Sequence, residues 1–423
     1  MIVAKPITAG MQSPRQPIIP RMYALSTATS FDALVVGRGA IGAAAALGLS
    51  RLGLKIAIVS PVAETSAADS QWDSRIFALS PATRALLQQL RVWDAIDASR
   101  IAPVFDMRVF PSSRPSAPEL HFSAYESKVE ALAWIVEHRN LSAALDRALG
   151  FANVAILEGV VDSFDVQPNG ASVTLQDGRQ LQARLLVGAD GAASALRELA
   201  GMHSTVRHYP QTAVVANFET SLPHRDCAWQ WFGDHGILAL LPLPGDRCSI
   251  VWSAPSVLAQ TLVDLEPERL ADKVSEISGG MLGRLQMITQ ARLFALRLLQ
   301  VERLIAPRLA LIGDAAHVVH PLAGQGMNLG FGDLQCLLDV IHAREPFRDP
   351  GDPMLLRRYE RARSEPVAMM RMATDGLQRL FDPESEPALP ALVRPMLAAR
   401  DLGWRLVESS PWLKRRLVAH AAS

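Results

Sequence analysis

Three glycines within six residues, Gly37-Arg38-Gly39-Ala40-Ile41-Gly42, constrain this chain more than any other feature, because of what stands on either side of them. Residues 33 to 36 are an apolar run, residues 43 to 52 read as a helix, and residues 56 to 59 form a second apolar run. Strand, turn, helix and strand make a βαβ unit, and apolar strands without alternation are buried on both faces, as in a parallel sheet. In such a turn the first glycine permits the tight bend and the second lets the backbone approach a pyrophosphate. The third allows close packing of helix on strand, and the helix N-terminus faces the anion. The pattern predicts a dinucleotide site. The second strand ends in Ser60, where an acidic residue commonly holds ribose hydroxyls; Ser60 can accept one hydrogen bond there.

The rest of the chain divides around this unit. At 423 residues with 49% hydrophobic content, it is long enough for two cores, since domains cluster near ~100 to 150 residues. From 154 to 181 short alternating strands are broken by Asn169-Gly170 and Asp177-Gly178, dipeptides suited to hairpin turns, which predicts a meander. Residues 185 to 187 form a further buried strand. Strand-like runs at 213–218, 227–232, 237–241 and 249–253 predict an antiparallel sheet in a second domain. The chain returns to the first domain with an apolar strand at 309–312 and a helix from about Gln325 to His342. Beyond Pro350 the pattern is helical, with breaks at 383–390 and Pro411.

Basic and acidic residues number 42 each, so no global basic field argues for nucleic acid. Cys227, Cys248 and Cys336 are scattered and odd in number, which suits a reducing cytoplasm rather than a disulfide framework or a metal cluster. No window holds the ~18 consecutive apolar residues of a membrane span. The expectation is a cytoplasmic protein, at most peripheral at the inner membrane face, with residues 412–418 a candidate basic amphipathic helix for such contact. Residues 1–30, with Lys5, Arg15, Arg21 and four prolines, are expected to be a disordered leader.

Two further turns are candidates for chemistry, although each taken alone also reads as an ordinary strand-to-helix turn with an N-cap Asp. Gly188-Ala189-Asp190-Gly191, continuing to Arg197, sets an Asp at a strand end before a helix. Gly313-Asp314-Ala315-Ala316-His317 follows another buried strand and continues through His320, Pro321, Gly324, Gln325, Gly326, Met327 and Asn328. An Asp after a buried strand can accept a ribityl hydroxyl. The backbone amides of the turn beyond it, at a helix start, can face a ring that becomes negative on reduction.

Together the three turns resemble the three fingerprints of class A flavoprotein aromatic hydroxylases, of the para-hydroxybenzoate hydroxylase fold. More narrowly, Asp73 to Ser80, Ile135-Val136-Glu137-His138, residues 236–243 and residues 317–326 resemble the ubiquinone-biosynthesis hydroxylases, the UbiH/UbiF/UbiI group. The resemblance implies an α/β fold: an FAD-binding, Rossmann-like parallel sheet, a second antiparallel-sheet substrate domain and a helical C-terminal region. The expected division assigns 31–110, 131–200 and 301–345 to the FAD-binding domain, 111–130 and 201–300 to the substrate domain, and 346–423 to the helical region.

Carried over by residue, the resemblance implies FAD pyrophosphate at Gly37, Gly39 and Gly42, and Ala40, Ile41 and Ser60 of the same unit are expected to bind the cofactor as well. It implies Arg75 near the phosphates or flavin, Asp314 on the phosphate and ribityl portion, and Asp190 packing the fold where a nicotinamide also touches. The turn from Pro321 to Asn328 would lie against the isoalloxazine. His138 stands where such proteins often carry Asn, Gln or Arg beside the flavin, and Arg139 is its possible substitute. The implied activity is hydroxylation of a polyprenylated phenol. NAD(P)H, a transient co-substrate, reduces FAD, O2 adds at flavin C4a, and the hydroperoxide delivers oxygen to the ring. Such a site must be dry, and residues 237–243 with Pro321 and Leu322 are the candidate lining.

Other readings stay open at this stage. His317 and His320 are imidazoles that could take a phenol proton; of the two His320 is the candidate base, the alternative being that His317 buttresses the turn and His320 bonds locally. Trp229-Gln230-Trp231 is similar to the WxWxIP motif of flavin-dependent halogenases, but Phe232-Gly233 follows, and the pair is expected in an alternating strand. A hydroxylase of a small soluble phenol and a non-catalytic flavin-binding subunit of a ubiquinone-biosynthesis complex are the rival functions.

Overall fold

The structure, a computed structural model, describes residues 29–61, 72–110, 119–319 and 325–380. The expected leader, the breaks at 383–390 and Pro411, and residues 412–418 lie outside the described residues.

Five parallel strands form the first sheet, in the order Leu309–Leu311, Gln180–Gly188, Thr29–Val36, Ile56–Ser60 and Val154–Glu158, with Ile305–Ala306 antiparallel at one edge. Ile56–Ser60 is buried along its whole length, as its unbroken apolar run predicts. The first strand starts at Thr29 rather than at residue 33, because Thr29 to Phe31 already pair with Leu181 to Ala183. The helix that follows is Ala40–Arg51, three residues earlier than its apolar pattern suggests, since Gly39 serves as N-cap and the end of the glycine turn is already helical. Its alanines have a packing reason. Nine of its residues are buried, and a Cβ at Gly48 would meet Leu338 Cδ1 at 2.6 Å, so the helix lies very close to helix Gln325–His342.

The meander is shorter than expected. Val154–Glu158 joins the parallel edge, and only Val161–Gln167, Gly170–Leu175 and Gln180–Gly188 run up and down. The first hairpin loop is Pro168 and Asn169, with Gly170 already paired to Gln167. Gly170 is needed for space rather than for the turn, because a Cβ there would lie 2.6 Å from Ala183 O.

The antiparallel sheet has nine strands. Its main path runs His317–Val318, Arg292–Val301, Ser204–Thr220, Arg247–Pro255, Gly236–Leu243, Cys227–Gly233, Asp106–Phe110 and Leu120–Ser123. Asp106–Phe110, assigned from sequence to the nucleotide-binding segments, pairs with Cys227–Gly233 and extends this sheet in parallel register. The alternation in Cys227–Gly233 places Trp229 and Trp231 in one core, against helices Ser256–Val263 and Pro267–Ser278, with Phe110 stacked on Trp231 at 5.4 Å. A small sheet of Ile76–Leu79, Ala133–Glu137 and Ile101–Val104, not foreseen from sequence, joins the two larger ones: Leu79, Trp134 and Val136 belong to the core of the parallel sheet, and Trp72, Ile76 and Ala78 pack on the cluster that holds Ala228 and Leu243. Helix Pro353–Leu380 continues the helical region as expected.

Candidate active site

The three glycine and aspartate turns, remote in sequence, meet at the C-terminal ends of the parallel strands. Gly37 N donates to Val59 O and Ala189 N donates to Val36 O, both at 2.8 Å. Gly37 has φ +103°, and a Cβ there would stand 2.2 Å from Ala189 O, so the second turn lies against the first. A Cβ at Gly42 would meet Gly37 O at 2.0 Å. The third turn closes on both. Ile41 lies between Gly313 and Gly330, within 3.4 Å and 3.2 Å of where their Cβ atoms would be. Arg197 donates to Ala315 O at 3.0 Å and Ala192 O at 2.9 Å.

The first turn is built to receive an anion. A Cβ at Gly39 would meet nothing within 4 Å. Helix Ala40–Arg51 has no side-chain cap and no acidic residue in its first turn. Its first N–H groups are therefore open to a pyrophosphate, whose charge suits the positive end of the helix dipole. Ser60 is buried at the end of its strand, paired in register with Glu158. In the second turn Asp190 Oδ2 accepts from Leu196 N, while Oδ1 is buried without a partner among the described residues. Asp190 thus ties its turn to the start of helix Ala195–Leu199, whose N-cap is Ser194.

Asp314 is exposed at the third turn. Its carboxyl keeps accessible surface, yet the surrounding protein desolvates it and pushes its pKa above the usual carboxylate range, with His317, Arg75 and Arg297 pulling the other way. A carboxylate short of partners beside a wide-open glycine cradle fits the hydroxyl-bearing linker of a dinucleotide. Arg75 stands near it and over the ring of Phe77 at 5.4 Å. Phe77 in turn meets His138 edge-on at 5.7 Å. Burial lowers the His138 pKa, and Arg75 and Arg139 add to the effect against the pull of Asp73. Asp73 arranges this wall. Its Oδ1 accepts from Arg75 N at 3.0 Å and its Oδ2 from Arg139 N at 3.2 Å. Buried Glu137 accepts from Asp73 N and from Arg100, the latter at 2.7 Å.

His320, Pro321 and Gly324 lie outside the described residues. Gln325 begins helix Gln325–His342, and a Cβ at Gly326 would meet nothing within 4 Å. Met327 packs on the main core. The side chain of Asn328 is largely committed elsewhere. Its Oδ1 accepts from Ser80 N and Thr83 Oγ1, each at 2.9 Å, and its Nδ2 donates to Ala78 O at 2.8 Å, tying the helix start to the small sheet.

Sequence reasoning missed the support behind the third turn. Asp333 is fully buried; its Oδ2 accepts from Gly313 N at 2.9 Å and lies 2.7 Å from His317 Nε2, while its Oδ1 accepts from Arg363 Nε at 2.8 Å. Burial alone would raise its pKa, but His317 and Arg363 outweigh burial and hold it below the usual range. His317 therefore buttresses the turn, and its Nε2 is turned to Asp333. Tyr359 adds a hydrogen bond to Leu311 O at 2.7 Å. A signal was present. Asp333 stands four residues from Leu329 and from Leu337, a charge in the buried stripe of a helix.

Comparison with known proteins agrees with this geometry. The family model described as "FAD binding domain" matches residues 30–374. Ubiquinone hydroxylase UbiL of Rhodospirillum rubrum is 34% identical over 92% of this chain and 89% of its own length. The 3-demethoxyubiquinol 3-hydroxylase of Escherichia coli is 32% identical over 92% of this chain and 97% of its own. Among solved structures, Pseudomonas aeruginosa PqsL superposes with a TM-score of 0.71 at 23% identity, covering 84% of this chain and 98% of that one. Klebsiella pneumoniae HpxO, solved with FAD and uric acid, gives 0.71 at 18% identity over 93% and 97%, and both share the fold. With its cradle, its carboxylate and these relatives, the chain belongs to the FAD-binding family of flavoprotein monooxygenases, among the ubiquinone-biosynthesis hydroxylases.

Proposed function

We propose that the protein hydroxylates the aromatic ring of a polyprenylated phenol or quinol precursor of ubiquinone, using FAD, O2 and NAD(P)H. One observation carries this reading: the Asp314 turn lies directly against Ile41 of the glycine turn, so a single extended dinucleotide can touch both. Bound FAD supplies the redox chemistry that side chains lack, taking two electrons from the nicotinamide and passing them to O2, so that one oxygen atom enters the ring and the other leaves as water.

The chain supplies position and dryness. Gly37, Gly39, Ala40, Ile41 and Gly42 receive the pyrophosphate, and Ser60 accepts from the ribose. Asp314 accepts from the ribityl chain, and the turn from Pro321 to Asn328 backs the ring. Arg75, with His138 or Arg139, closes the wall opposite, and Asp190 packs the turn at which a nicotinamide passes. Half-buried Val251 and Ala239 and buried Val215 put an apolar row on one face of the antiparallel sheet, which suits a prenylated ring. A lipid-borne substrate would be met at a surface, peripherally at the inner membrane face or within a complex of biosynthetic enzymes; among the described residues no helix is long and apolar enough to cross a membrane. The nucleotide-binding unit takes in 31–105, 131–200 and 301–345, and the substrate unit 106–130 and 201–300.

The test uses the purified FAD-loaded protein in air with NADH or NADPH and a prenylated phenol. The expected result is substrate-stimulated NAD(P)H oxidation with one oxygen atom from isotopically heavy O2 in the product. A yellow protein that shows neither is a binding subunit, and the reading fails.

A further inference from the structure

The face of the antiparallel sheet turned away from the helices carries polar side chains that lack a side-chain partner among the described residues: Ser249, whose Oγ is fully buried, and Gln230. Gln230 is 6% exposed and makes no side-chain hydrogen bond to a described residue. Its neighbours Trp229 and Trp231 point into the helix-covered core, so Gln230 points to the other face. Registered pairs share a face, and the row through Gln230 runs Val215, Val251, Ala239, Gln230, Val109, Leu120.

This face looks toward the cofactor wall. In the adjoining row Asn217 Nδ2 donates to Asp73 O at 2.8 Å, and Leu241 packs on the same cluster as Trp72 and Ile76, which lie on either side of the segment that carries Arg75. Val251 and Ala239 are only half-buried, so the row is open at its centre, next to Gln230.

We propose that Gln230 is a substrate-recognition residue whose amide binds the ring oxygen of the phenol, a role that rests on the function proposed above. A primary amide both donates and accepts and carries no charge at any working pH, so it can accept from a phenol hydroxyl or donate to a ring oxygen. A ring docked on this row would strip the amide of solvent, and the amide then needs the ring oxygen as its partner. A site built this way rejects the analogue that lacks the oxygen, because the amide is then left unpaired. The oxygen on Gln230 and the apolar neighbours around it would fix which ring carbon faces the flavin, making Gln230 a determinant of regiochemistry.

The probes are ortho-geranylphenol and geranylbenzene, which differ by the hydroxyl alone, titrated against the flavin absorbance of the FAD-loaded protein. The wild type is expected to prefer the phenol by ~10-fold or more, the size of one hydrogen bond at a buried site. Gln230→Met, close in volume and without the amide, should bind both alike and release less hydroxylated product per NAD(P)H oxidised. A preference that survives in Gln230→Met overturns the proposal, as does a wild type that shows none. If Gln230→Met loads FAD poorly, Gln230→Asn decides: retracting the amide by one methylene should cut the preference several-fold, and an unchanged preference overturns the proposal. The hydroxylase reading is judged separately, by whether the phenol stimulates NAD(P)H oxidation in the wild type, so either can fail without the other.

Discussion

Asp333 reaches back from the middle of its helix to take the backbone N–H of Gly313 at 2.9 Å, so a fully buried carboxylate fixes the residue next to Asp314. Its other oxygen holds Arg363. Asp333→Asn keeps the shape and removes the charge, leaving Arg363 buried without its counterion. Breaking a buried pair on one side costs about 3–5 kcal/mol. Thermal melting should show a fall of that order, with FAD released more readily than from the wild type.

The same carboxylate sets an acid limit. Its folded pKa is below the unfolded value of about 3.9, so its stabilisation is complete above that value and is lost as pH falls through the lower folded pKa. Melting curves below about pH 4 should fall more steeply for the wild type than for Asp333→Asn.

Burial, reinforced by Arg75 and Arg139, disfavours protonation of His138 in the folded protein. The folded pKa is depressed, so the stability His138 supports is full above the unfolded value of about 6.5 and declines as pH drops below it. His138→Gln should flatten the melting temperature between about pH 7 and pH 5. An identical slope in both proteins would show that His138 does not set it.

Asp314 has the opposite sign. Its folded pKa is raised, chiefly by burial, so ionising it at neutral pH opposes folding when no ligand partners it. Asp314→Ala should melt no lower than the wild type as apoprotein while binding FAD roughly tenfold or more weakly, the worth of a hydrogen bond to a charged group. Calorimetry of apoprotein with FAD measures both.

Two neighbouring glycines should separate folding from binding. Gly37→Ala forces a Cβ into Ala189 O at 2.2 Å with φ +103°, and should unfold the protein or cost several kcal/mol. Gly39→Leu points into open space and should leave the apoprotein folded while the protein stays colourless. Loss of circular dichroism in Gly39→Leu would contradict this.

The sequence made legible whatever repeats a local rule. Gly37, Gly39 and Gly42 announce the cradle because each answers a steric demand of one turn, and the Trp229, Gln230, Trp231 alternation announces a strand with two different faces. What stayed hidden was set by partners far along the chain. Val154–Glu158 reads as the start of a meander, and only its pairing with Ile56–Ser60 makes it a parallel edge. Asn328 sits in the cofactor motif, but its amide is occupied by Ser80 and Thr83, some 250 residues earlier in the chain. Asp333 and Arg363 lie in two separate helices, and no spacing rule links them.

The strand His317–Val318 has a mechanical consequence. It pairs with Arg292–Val301 of the antiparallel sheet only five residues after Ile312, whose N–H is bound to Gly188 O of the parallel one. So short a tether leaves no slack. A displacement of one sheet relative to the other is therefore felt at Asp314, which couples the two sheets through a single carboxylate-bearing turn.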